Sequence, residues 1–125
     1  MPKVLVPHFL IAEEDPLIRM YLASVLRDAG AKVSEVKSTD EGCRADVRQF
    51  DAAILDYRLQ DGVSVRLAQY LDAAGIPLTW HSNSDPSQFL GAVPGARVLR
   101  KLASERQLLS HFQAILRREA SVAAA

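Results

Sequence analysis

Apolar residues in this chain fall in short unbroken runs, and each run is followed by a segment of helical character. The first run, His8 to Ala12, reads as a buried strand. Asp15-Pro16 behind it supplies an N-cap and a first-turn proline. Ile18, Tyr21, Leu22, Val25 and Leu26 then recur at the helical period until Gly30. Ala31 to Val36 predicts a short second strand. Ser38 with Glu41 forms a capping box for a second helix whose buried stripe is Cys43, Val47 and Phe50. Ala52 to Tyr57 is apolar without alternation, as a strand covered on both faces should be. After the turn Gln60-Asp61-Gly62, a third helix is expected from about Ser64 to Ala74, closed by Gly75.

Pro77 to His81 predicts a fourth strand and Ala96 to Arg100 a fifth. Between them Pro86, Gly91, Pro94 and Gly95 leave room for at most one or two helical turns. A last helix starts from the capping box Ser104 and Gln107 and buries Leu108, Leu109, Phe112, Ile115 and Leu116. Residues 1–7 and 119–125 read as tails. Strands alternating with helices argue for a parallel sheet covered by helices on both faces.

Ligands of an open parallel sheet bind beyond the carboxyl ends of its strands. Four runs here deliver chemistry at that end: the acidic cluster Glu13-Glu14-Asp15, then Asp56, Ser82 and Lys101. Carboxylates, a hydroxyl and an ammonium gathered in one crevice suit a divalent cation and a phosphoryl group. Asp15 alone is explained as the helix cap.

Composition narrows the picture. The 125 residues are one domain's length, and fifteen Lys plus Arg balance fifteen Asp plus Glu. Without a basic excess or stripe, nucleic acid is not an expected partner. Cys43, a lone cysteine, reads as a small buried apolar residue and fits a reducing, cytoplasmic compartment. No apolar run approaches the ~20 residues of a membrane helix. His8, His81 and His111 have no metal-ligand spacing and read as strand or helix surface residues, whereas Tyr57 and Trp80 should point into the core.

These motifs, in this order, resemble the receiver domains of two-component response regulators, over about His8 to Arg117. The acidic pair before a helix-starting proline is matched by Glu13-Glu14-Asp15-Pro16 and the phosphoacceptor by Asp56. The Asp61-Gly62 turn, Ser82 beyond Ile76-Pro77, and Lys101 complete the match. The resemblance implies a flavodoxin-like (βα)5 three-layer sandwich around a central five-stranded parallel sheet, with the fourth helix short or irregular. It implies a single receiver domain spanning 1–125 (core about 8–118) with no output domain attached.

Its implied function is Mg²⁺-dependent acceptance of a phosphoryl group on Asp56, from a sensor histidine kinase or phosphotransfer protein. Glu14 and Asp56 are the expected direct Mg²⁺ ligands, with the backbone carbonyl of Arg58 as a third and Glu13 acting through water. Lys101 would neutralise phosphoryl oxygens, and Ser82 would donate a hydrogen bond to one. Signalling would pass by contact to a downstream protein, and the pattern is compatible with a homodimer. The chain would be a phosphoacceptor rather than a turnover enzyme.

Four positions depart from the family pattern. Glu14 stands where Asp is usual, and Asn83 where a small residue is usual. Leu102 replaces a proline after the lysine, which is expected to loosen the loop aiming Lys101. Val98 replaces the aromatic switch residue. They motivate an alternative, a degenerate receiver acting as a phosphorylation-independent interaction module. A haloacid-dehalogenase-type phosphatase would need a second Asp two residues after Asp56, and Arg58 stands there.

Overall fold

Leu10 and Ala12 face one side of β1 (His8–Ala12) while Phe9 and Ile11 face the other, and all four are buried. The same split runs through β3 (Ala52–Leu55), whose Ala53 and Leu55 join the first side and Ala52 and Ile54 the second. This two-sided burial is why neither run alternates with polar residues. The computed structural model describes residues 6–124, with side chains described for 6–117. Five parallel strands form the central sheet in the order β2-β1-β3-β6-β7, where β2 is Lys32–Val36, β6 Leu78–Ser82 and β7 Arg97–Arg100. Ala12 stands beside Leu55, Leu55 beside Trp80, and Ser82 beside Arg100.

On one face, α1 (Pro16–Asp28) and α4 (Glu105–Ala124) bring Leu22, Leu26, Phe112 and Ile115 against Phe9, Ile11 and Ile54. Phe9 and Phe112 meet edge to face, 4.9 Å between ring centroids. α1 begins as its sequence requires: the Asp15 carboxylate accepts from the N–H groups of Leu17 (2.9 Å) and Ile18 (3.3 Å), with Pro16 in the first turn. On the other face, α3 (Val65–Ala73) supplies Leu67 and Leu71, which pack with Trp80 and Phe89. The Ser104/Gln107 box closes reciprocally, at 2.9 and 3.1 Å.

Several expected boundaries shift. The second helix is only α2 (Thr39–Arg44); Ala45 turns extended and a 3₁₀ turn (Val47–Gln49) follows, capped by Asp46. Val47 and Phe50 are still buried, but from the turn and its exit rather than from a continuous helix. α4 runs to Ala124, so residues 119–124 continue the helix instead of forming a tail; Ala is the strongest helix former. At the other end the Pro7 carbonyl already takes the Lys32 N–H at 2.8 Å. The expectation for residues 1–5 lies outside the described residues. Between β6 and β7 stands a 3₁₀ turn, Pro86–Gln88, so the irregular fourth helix expected from its prolines and glycines is one turn long. A two-residue hairpin, β4 (Arg58–Leu59) and β5 (Gly62–Val63), follows β3, with Gly62 at φ +117° making the reversal.

Gly42 marks the tightest helix contact. A methyl group there would sit 2.6 Å from a Leu67 side-chain carbon, so α2 can approach α3 only without one. Gly42→Ala is expected to lose roughly 1–2 kcal/mol by urea unfolding, overpacking outweighing the gain in helix propensity. In a Leu67→Ala background the same substitution should cost measurably less.

Candidate functional site

Parallel strands all end on one edge of a sheet, and there the chain places Glu13 after β1, Asp56 after β3, Ser82 at the end of β6 and Lys101 after β7. The Lys101 ammonium touches both acids. Its Nζ lies 2.7 Å from Glu13 Oε1 and is in direct contact with Asp56 Oδ2. Only 2% of the Glu13 side chain, 11% of Asp56 and 12% of Lys101 is exposed. One positive charge therefore sits between two negative ones where little water reaches.

The backbone around the trio is locked. Asp56 donates its N–H to the Ala12 carbonyl at 2.9 Å, tying the acceptor to the end of β1. Ser64 stands just before α3 without capping it, and its buried hydroxyl donates to the carbonyls of Asp56 (2.6 Å) and Tyr57 (3.1 Å). Asp61 receives the N–H groups of Thr39 (2.8 Å) and Asp40 (3.0 Å), so the turn after Asp56 is held against the start of α2. The Arg19 guanidinium donates to the carbonyls of Glu13 (2.8 Å) and Glu14 (3.3 Å), clamping the acidic loop from α1. Ser64 and Arg19 are legible only as helix residues, since their partners lie on backbone that no spacing rule identifies.

Of the two candidate acids before α1, Glu13 lies inside. Its second oxygen accepts the Asp15 N–H at 3.1 Å, which folds the side chain back into the crevice and leaves the Glu14 side chain in solvent. Ser82 is buried at the mouth of β6, where its hydroxyl accepts from the Ser84 N–H at 3.1 Å. Asn83 and Leu102 are exposed. The Arg58 side chain lies over the Tyr57 ring, 5.8 Å from its centroid. Since the Tyr57 carbonyl turns to Ser64, the next carbonyl, of Arg58, turns out of the hairpin. Among the described residues, no three Asp, Glu, His or Cys side chains cluster in a metal-holding arrangement.

The histidines contradict the surface reading. His8 and His81 are buried, and His111 is half-buried with its Nε2 2.8 Å from the Thr79 hydroxyl. β1 and β6, which carry His8 and His81, are inner strands covered on both faces and buried at every position. His81 Nε2 accepts the Ala103 N–H at 3.2 Å, while Tyr21 donates its hydroxyl to the Ala103 carbonyl at 2.9 Å. The loop carrying Lys101 is thus pinned through both backbone groups of one residue, Ala103, contrary to the loosening expected from Leu102. The Lys101–Leu102 peptide itself is cis. Trp80 faces the core as expected, 4.8 Å from Phe89 between ring centroids.

Burial by itself would lower the Lys101 pKa, but its bonds to Asp56 and Glu13 outweigh this and hold the ammonium above its ordinary value. Burial raises Glu13 above the usual carboxylate value, against the pull of Lys101. Burial, reinforced by the Lys101 charge, takes His81 down to about 4 and keeps the imidazole neutral.

No family model matches the chain, and no curated protein matches it. Among solved structures it is similar to a response regulator receiver protein from Sinorhizobium medicae, at 21% identity over 90% of this chain and 95% of that one, with a TM-score of 0.78. A receiver domain protein from Clostridium thermocellum matches at 17% identity over 94% and 99%, TM-score 0.83. The chemotaxis protein CheY4 of Vibrio cholerae matches at 20% over 90% and 100%, TM-score 0.78. The chain has the flavodoxin-like fold of response-regulator receiver domains.

Histidine titration gives a direct check. The unfolded chain protonates this imidazole near 6.5, the folded one only near 4, so stability present above pH 6.5 is lost as pH falls toward 4. Glu13 acts oppositely, because its raised pKa adds stability as the pH drops and removes it as the pH rises through the folded value. His81→Gln, which keeps an acceptor for Ala103, should therefore flatten the acid limb by roughly 2–3 kcal/mol between pH 7 and 4.5 in urea titrations.

Proposed function

We propose that this chain is a response-regulator receiver that takes a phosphoryl group onto Asp56 and passes the signal through protein contacts. One observation carries the reading: Lys101 bridges Glu13 and Asp56 at the carboxyl edge of a receiver-type sheet. Phosphoryl transfer asks a protein for positioning and charge stabilisation more than covalent help. The trio supplies both, with a carboxylate fixed by its own backbone bond and a cation already at its oxygen.

The donor set fits Mg²⁺. Glu13 and Asp56 offer two hard carboxylates, the Arg58 carbonyl a third oxygen, and the trio's charges leave one negative unit uncompensated. This ion uses one or two protein carboxylates and keeps water for the rest, so a three-acid cluster is not required. When bound it would supply charge shielding for the incoming phosphoryl group. Glu13 rather than Glu14 is the acid positioned beside Asp56.

In the proposed step, a carboxylate oxygen of Asp56 attacks the phosphorus of a phosphohistidine from a kinase or phosphotransfer protein. The phosphorus–nitrogen bond breaks, its electron pair stays on the donor imidazole, and a mixed anhydride forms on Asp56. Lys101 then follows the negative oxygens from the carboxylate to the phosphoryl group. Ser82 exchanges its bond from Ser84 for one donated to a phosphoryl oxygen. The chain is a phosphoacceptor in this reading, not a turnover catalyst. Among the described residues no helix is long and apolar enough to cross a membrane, which accords with a cytoplasmic role.

A second reading, an interaction module that needs no phosphorylation, is favoured by one observation: the Glu14 carboxylate points to solvent, leaving the acidic pair half used. A single experiment separates them. With Mg²⁺ and acetyl phosphate the protein should gain the mass of one phosphoryl group, and Asp56→Ala should gain nothing. Lys101→Met should slow the gain by roughly a hundredfold. An unchanged mass in the wild type, under conditions that label a control receiver, would establish the second reading.

A further inference from the structure

β7 is an edge of the central sheet, and among the described residues no strand pairs with its open side. The Lys101 N–H turns inward to the Ser82 carbonyl (3.5 Å). Because these directions alternate along a strand, Val98 and Arg100 point their N–H and C=O groups outward. Among the described residues no backbone group engages them. In this unit the chain between β6 and β7 forms a single 3₁₀ turn, which leaves β7 half-exposed along its length, with Arg97 and Arg100 exposed at its ends. Neither guanidinium forms an ion pair among the described residues. Asp85 is already engaged by the Ser87 N–H at 3.0 Å.

Charge decides the occupant. From residue 86 onward the sequence holds six Lys and Arg against two Asp and Glu, although the whole chain is neutral. Charged ends are a common way to stop edge strands pairing with their own kind, and two copies of β7 would crowd four arginines along one seam. The same arginines attract an acidic strand. We infer that β7 is a docking edge for an extended acidic segment of another protein, which adds as a sixth strand through Val98 and Arg100 with its carboxylates on Arg97 and Arg100. Main-chain bonds would supply the affinity and the flanking charges the selectivity. The inference does not rest on phosphoryl chemistry at Asp56.

The test is an amide NMR titration of the full chain with acetyl-Glu-Glu-Val-Glu-Glu-amide, which offers carboxylates on both faces because Arg97 and Arg100 point to opposite ones. The Val98 and Arg100 amides should shift and exchange more slowly. The Lys-Lys-Val-Lys-Lys analogue should leave them unmoved, as should the acidic peptide N-methylated throughout, which keeps its charge but cannot pair. Arg97→Glu with Arg100→Glu should weaken binding roughly tenfold. Silence at these two amides, or an equal response to the basic or methylated peptide, overturns the inference. So do concentration-dependent shifts without peptide, which would make the occupant a second copy.

Discussion

Everything about the carboxyl edge of this sheet depends on one ammonium shared by two buried carboxylates. Glu13 and Asp56 stand at the ends of adjacent strands, and without Lys101 they would repel each other with little water to screen them. Removing one member of such a group leaves an uncompensated buried charge, a far larger penalty than the loss of a surface ion pair. The register of three strands is therefore tied to the geometry of one site.

The strand order explains why the cation is a lysine. β7 lies two strands from β3, with β6 between them, a span of roughly 9–10 Å at ordinary strand spacing. A four-carbon stem laid over the end of β6 crosses that span where a shorter side chain would not. The stem must be aimed, and the structure aims it through the backbone of Ala103, whose N–H is accepted by His81 and whose carbonyl is held by Tyr21. A neutral imidazole is the right partner there. A protonated one could not accept the Ala103 N–H, and it would add a second cation beside Lys101.

The pattern of apolar runs made the five parallel strands legible, along with the caps at Asp15 and Ser104 and the missing fourth helix. What it hid follows from one limit: periodicity reports which residues are buried, not what their polar atoms meet. His8 and His81 read as surface residues because a histidine carries no burial signal of its own, yet both lie in strands covered on two faces. Ser64 read simply as the start of a helix, whereas its hydroxyl serves the carbonyls after β3. The second helix broke because the Val47 and Phe50 stripe can be buried by a turn as well as by a helix. The expectation put Glu14 at the centre with Glu13 behind it, and the structure reverses the two, burying Glu13 and leaving Glu14 exposed. The choice is made by the Asp15 N–H, a backbone group invisible in a sequence.

Two of the positions that depart from the receiver pattern, Val98 and Leu102, lie on or just after β7. Val98 packs against the Trp80 and Phe89 cluster, so it is a core residue with no aromatic ring to swing. The absent fourth helix exposes the edge of the same strand that carries Lys101. Arg100 is covalently next to Lys101, so a rearrangement that draws the ammonium toward a new charge on Asp56 must also move the edge. By linkage, an occupant that prefers one arrangement of that edge changes the equilibrium at Asp56 by the same free energy that Asp56 contributes to its binding. A strand four residues long is short enough for both ends to feel either event, and no side-chain flip is needed to connect them.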